Sequence, residues 1–134
     1  MNDNLSQSLE DYLEIIYNEI NKNNAVKAID ISRQLNVSRA SVTEALNKLA
    51  EKGYINYAKY GSVEITKKGT DKAKEIVLRH NELTSFFINM GIEAKEAEIT
   101  ACKIEHVISK EISDKILVFN KYCKDNPDFK KIFK

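Results

Sequence analysis

The chain has 134 residues, 43% of them hydrophobic and 31% charged, with a formal net charge of +1. That length suits one compact domain or two small lobes sharing a helix, and it buries roughly two thirds of the unfolded surface without help from disulfide or metal. No apolar run approaches the ~20 residues of a membrane span, and the start "MNDNLSQSLEDY" lacks the parts of a signal peptide, so a cytoplasmic protein with no membrane partner is expected.

Two cysteines make no secreted disulfide framework, and four glycines with one proline favour long helices over a β-sandwich. A near-neutral charge decides nothing about partners; a nucleic-acid binder of this balance has to gather its basic residues on one face.

A first helix is predicted from about Ser8 to Asn21, with Leu9, Leu13, Ile16 and Ile20 forming its apolar stripe and Ser6 or Ser8 as its cap. The polar stretch "NKNNAVK" reads as a loop. A short helix then begins at Ile29, Ile31 and Leu35, and "NV" interrupts it. Ser38 caps a second helix carrying Val42, Ala45, Leu46 and Leu49 inward, and Gly53 stops it. The runs in "YINYAKYGSVEITKKG", with "YGS" between them, predict a hairpin. Helix, turn, helix and hairpin in this order are those of a winged helix-turn-helix.

From Thr66 a long helix is predicted to reach Met90 before Gly91 ends it. Its seam of Ala73, Ile76, His80, Leu83, Phe87 and Met90 has a heptad-like rhythm, with His80 where an apolar residue is expected. Further helices are predicted over about Glu93 to Val107 and Ser109 to Tyr122, the latter turning Ile112, Ile116, Phe119 and Cys123 inward. The tail is read as one more short turn or helix.

In a helix-turn-helix the second helix enters the major groove by its N-terminal end. Here that end reads Ser38, Arg39, Ala40, Ser41 and Thr43. Arg39 can donate twice to guanine, the hydroxyls can serve bases or phosphates, and Ala40 leaves room for a thymine methyl. Lys48, with Lys59 and Tyr60 at the hairpin tip, can hold phosphates and so set register. A protein-interaction module would expose bulky apolar residues at that helix start instead. One module makes few phosphate contacts, so double-stranded operator DNA implies a homodimer on two half-sites.

The residue types that bind metals gather elsewhere. Asp11 and Glu14 lie one turn apart on the first helix, His80 interrupts the long seam, and "ITACKIEHVIS" places Cys102, Glu105 and His106 at i, i+3 and i+4. Singly each has a bland account: a dipole-favouring Asp11, a solvated Glu14, a satisfied core His80, a core cysteine beside surface polar residues. Together, carboxylates, imidazoles and a thiolate suit Fe2+, Co2+, Ni2+ or Zn2+, and Mn2+ where carboxylates dominate. No HExxH, CxxC or Gly-rich phosphate loop is present, and no enzyme activity and no protein substrate are expected.

The ordered motifs "SLEDYLEIIY", "VSRASVTEALNKLAEKGYI", "ITKKG", "RHNEL" and "ACKIEHVIS" resemble the metal-dependent repressors of the diphtheria toxin repressor type, among them DtxR and MntR, over nearly the whole chain. The resemblance implies a mainly α homodimer, with a winged helix-turn-helix DNA-binding domain over residues 1–72. An all-helical metal-binding dimerisation domain then covers 73–134, the long helix being shared. It implies a repressor of metal-uptake genes, activated by Fe2+ or Mn2+ at the interface of the two domains. Asp11 and Glu14 match manganese-type ligands, His80 a ligand of both types, and Cys102, Glu105 and His106 the ligand trio whose cysteine is iron-type. The iron-type second site wants a Glu where this chain has Thr84, and the length matches the short build without an SH3-like domain. A winged-helix regulator answering to an organic ligand or to cysteine redox state is the competing expectation.

Overall fold

The structure is a computed structural model, and it describes residues 5–23, 25–58 and 62–134. The backbone divides into two units, the first ending at Glu75 and the second running Ile76–Lys134.

In the first unit, α1 (Gln7–Asn23) starts at Ser6, whose Oγ accepts the Leu9 N–H at 3.2 Å. Leu9, Leu13 and Ile16 are buried as their spacing predicts, and Tyr12 joins them. The helix runs two residues past Asn21, and Asn23 ties its last turn by donating to Glu19 Oε2 at 3.1 Å. Next come α2 (Ala28–Leu35) and α3 (Arg39–Glu51). Between them Asn36 adopts left-handed geometry (φ 54°), which asparagine tolerates better than most residues. Ser38 caps α3, accepting the Ser41 N–H at 3.1 Å, and Val42, Ala45, Leu46 and Leu49 are buried beneath it. Gly53, at φ 84°, turns the chain out of α3 into the wing.

The wing pairs β1 (Ile55–Tyr57) antiparallel to β2 (Val63–Ile65), with Ile55 opposite Ile65 and Tyr57 opposite Val63. Its tip, with Lys59 and Tyr60, lies outside the described residues. Buried Val26 adds a bridge to Val63, whose N–H donates to the Val26 carbonyl at 3.0 Å. A single paired residue leaves no periodicity, so the loop reading of "NKNNAVK" missed it.

α4 (Lys67–Asn89) begins against the base of this wing. The Thr66 hydroxyl reaches the carbonyls of Gly53 (2.7 Å) and Tyr54 (2.9 Å) and accepts the Gly69 N–H at 3.0 Å. Lys68 Nζ donates to the Lys52 carbonyl at 2.8 Å and lies 4.6 Å from the centre of the Tyr54 ring.

The second unit takes the rest of α4, which Gly91 (φ 89°) follows, then α5 (Ala94–Ile104), α6 (Lys110–Asp125) and a 3-10 segment, Pro127–Phe133. Leu83, Ala101 and Ile116 form its core, with Phe86, Ile104 and Ile108 packed around them. Phe119 meets Phe86 and Phe129 edge-on, at centroid distances of 5.3 and 5.6 Å, and this docks the closing segment. Asn120 donates to the Glu82 carbonyl at 2.8 Å and fastens α6 to α4.

One expectation for α6 changes. Ile116 and Cys123 are buried, but Ile112 is 50% exposed. Spacing sorts an apolar face from a polar one; it does not say how far along that face the chain's own core extends. Ser109 caps this helix, its Oγ accepting the Ile112 N–H at 3.2 Å. Ser109→Ala is expected to lower stability by about 1 kcal/mol, read as a lower urea midpoint with an unchanged slope.

Candidate metal centre

α5 ends at Ile104, but the backbone stays helical for one more residue, Glu105 (φ −58°, ψ −28°), whose N–H still donates to the Ala101 carbonyl at 2.9 Å. A tight turn through His106 and Val107 then leads to α6, the Val107 N–H bonding to the Ile104 carbonyl at 3.0 Å. This ending drives the Glu105 side chain inward while the chain reverses around it.

The carboxylate meets two imidazoles. Glu105 Oε2 lies 2.6 Å from Nδ1 of His80 on α4, and Oε1 lies 3.3 Å from Nε2 of His106. The side chains of Glu105 and His106 are 1% and 2% exposed, and that of His80 is 18% exposed. A carboxylate removed from water needs positive charge close by, and two ring nitrogens, both recognised ligands of divalent transition metals, are what the fold places there. Donors of this type fit such an ion.

The other predicted donors have different settings. Cys102, three residues before Glu105, is exposed, so the shared helical face does not give the trio one environment. Asp11 and Glu14 stand half-buried, one turn apart on α1, in the first unit. Thr84 donates its hydroxyl back to the His80 carbonyl at 2.9 Å.

On the DNA side, Ser38, Arg39, Ala40, Ser41, Thr43 and Lys48 are all exposed along α3. The hydroxyls of Ser38 and Ser41 are bonded to each other at 2.9 Å, and Lys48 Nζ lies 3.2 Å from Glu44 Oε1. Glu44 and Asn47, which the sequence reading does not include, are exposed on the same helix.

Residues 4–63 match the family described as iron dependent repressor, N-terminal DNA binding domain, and residues 66–134 match the metal binding and dimerisation domain of the same repressors. The chain belongs to the iron dependent repressor family.

Among similar members of the family is an HTH-type transcriptional regulator of Methanocaldococcus jannaschii, 38% identical over 123 residues, or 90% of this chain and 98% of that one. The regulator MntR of Lysinibacillus sphaericus is 33% identical over 92% of this chain and 89% of its own. Among solved structures, a manganese-dependent transcriptional repressor in complex with manganese matches with a TM-score of 0.75 at 26% identity, over 85% of this chain and 53% of that one. The chain is therefore a metal-dependent transcriptional regulator rather than an enzyme, with a DNA-binding domain and a metal-binding dimerisation domain. Among the described residues no helix is long and apolar enough to cross a membrane.

Proposed function

We propose that this chain is a homodimeric repressor of metal-uptake genes that answers to Fe2+ or Mn2+, with Zn2+, Co2+ or Ni2+ as substitutes. The observation that carries the reading is Glu105, a fully buried carboxylate with an imidazole nitrogen at each oxygen. His80, Glu105 and His106 would hold the ion, and the sequence assigns Asp11, Glu14 and Cys102 as its further donors. The cation would bind among these donors, and its preference for one conformation sets a coupling of ~1–3 kcal/mol to DNA binding.

The chain's own part is mechanical. His80 rides on α4, and the first turn of that same unbroken helix is fastened to the wing base through Thr66 and Lys68. Val107, Val118 and Tyr122 are exposed large apolar residues of the second unit in the single chain, which burial against a second copy would cover.

The test is an anaerobic DNA-binding titration with chelator, then Fe2+, Mn2+ and Zn2+ in turn. Operator affinity that stays the same through all four conditions would end the metal-sensing reading and leave an organic ligand or thiol redox as the effector. In the same assay Cys102→Glu is expected to shift preference from Fe2+ towards Mn2+, because a carboxylate replaces the one soft donor. An unchanged order of metals would remove Cys102 from the site.

A further inference from the structure

The burial of α3 fixes which of its side chains point away from the protein. Val42, Ala45, Leu46 and Leu49 are buried. At 3.6 residues per turn the line diametrically opposite runs through Ala40, Glu44, Asn47 and Glu51, and all of these are exposed. Arg39 and Thr43 fall on one flank of that line, Ser41 and Lys48 on the other. The residues nearest the N-terminal end of this outermost line are the ones a groove would meet first.

We infer that Ala40, Glu44 and Asn47 read the base sequence of the operator, with Glu44 selecting a cytosine and Asn47 an adenine; this rests on α3 being the DNA-reading helix. Glu44 is the informative member because a carboxylate is the least welcome group on a DNA-facing surface. It accepts hydrogen bonds and donates none. Phosphates repel it, and so do the N7, O6 and O4 acceptors that line the major groove. Adenine offers an amino donor, but with N7 beside it. Cytosine N4 has an acceptor on one side only, O6 of its paired guanine, whereas adenine N6 stands between N7 and the O4 of its paired thymine. Glu44 therefore works as much by excluding other bases as by binding one.

Lys48 makes this charge tolerable. In the free protein its Nζ lies 3.2 Å from Glu44 Oε1, with the two side chains 55% and 69% exposed. So exposed an ion pair holds weakly and exchanges readily. On DNA, Lys48 can turn to a phosphate while Glu44 turns to the cytosine amino group. Asn47, one turn on, has the donor and acceptor that pair with adenine N6 and N7, and Ala40 offers only a methyl, which suits thymine C5.

The experiment is selection from randomised double-stranded DNA by the full chain, anaerobically, with Mn2+, with Fe2+ and with chelator in parallel. Wild type is expected to enrich sites with a fixed cytosine in each half. Glu44→Ala should flatten that position, losing about 10- to 100-fold of discrimination, and Glu44→Gln should move it towards adenine. Asn47→Ala should flatten a neighbouring adenine. Lys48→Met should weaken all sequences together, with a salt dependence shallower by about one charge and the same base profile. Base profiles of Glu44→Ala and Glu44→Gln identical to wild type overturn the inference, and so does a wild-type chain that enriches no sequence. Equal enrichment with chelator and with metal would instead sink the metal-sensing reading, while the base profiles still decide the role of Glu44.

Discussion

Glu105→Gln is expected to abolish the metal response while leaving the protein folded. The change keeps the volume of a side chain that is fully buried, so no cavity opens. It removes the charge and one acceptor from between His80 Nδ1 and His106 Nε2. Loss of groups that merely support a ligand costs 10- to 100-fold in metal affinity, so losing the central carboxylate should cost at least about 100-fold. Two measurements separate this from a plain structural ion pair. Metal at about 100 times its Kd should stabilise the wild type by about 2.7 kcal/mol and raise its melting temperature, and it should leave the variant unmoved. Without metal, a structural pair would lose about 3–5 kcal/mol when one partner is neutralised, whereas a site built for a cation should lose little. A variant that melts early and still gains stability from metal would show that Glu105 holds the fold and not the ion.

How legible the molecule was depends on what each residue type can say by itself. Ser38, Gly53 and Gly91 mark helix ends through their own chemistry, a hydroxyl that accepts a backbone N–H or a backbone that goes left-handed, and the structure uses all three so. The buried side of α3 was equally plain, since four apolar residues at helical spacing define it. The metal centre was legible as a set of residue types and less so as geometry. A spacing of i, i+3 and i+4 groups Cys102 with Glu105 and His106, but α5 stops at Ile104, which buries the latter two while Cys102 remains exposed. The bridge from Val26 to Val63 depends on a partner far along the chain. Glu44 and Asn47 follow from the burial period of α3, which sets its outward line, whereas the helix-start rule weighs residue type at the N-terminal end.

Gly69→Ala is expected to destabilise the first unit. Gly69 lies in the first turn of α4, where propensity alone favours alanine by about 1 kcal/mol. The surroundings reverse that sign. A Cβ at Gly69 would run into the Tyr54 carbonyl oxygen and stand 2.8 Å from Ile65 Cγ1. The Ile65 side chain can turn away; the carbonyl cannot, because it already accepts the Thr66 N–H at 3.1 Å and the Thr66 hydroxyl at 2.9 Å. Relief therefore requires α4 to lift from the start of β1, breaking the Thr66 bonds and drawing Lys68 off the Lys52 carbonyl. Overpacking of this kind costs 1–3 kcal/mol and sometimes more, and with backbone on the receiving side a net loss of about 3 kcal/mol is expected. Urea unfolding of the metal-free protein measures it. Operator affinity at saturating metal should fall as well, because the wing base moves. A gain of about 1 kcal/mol, as helix propensity would give, would instead mean that the close approach of Gly69 to Tyr54 is not needed to seat α4 on the wing.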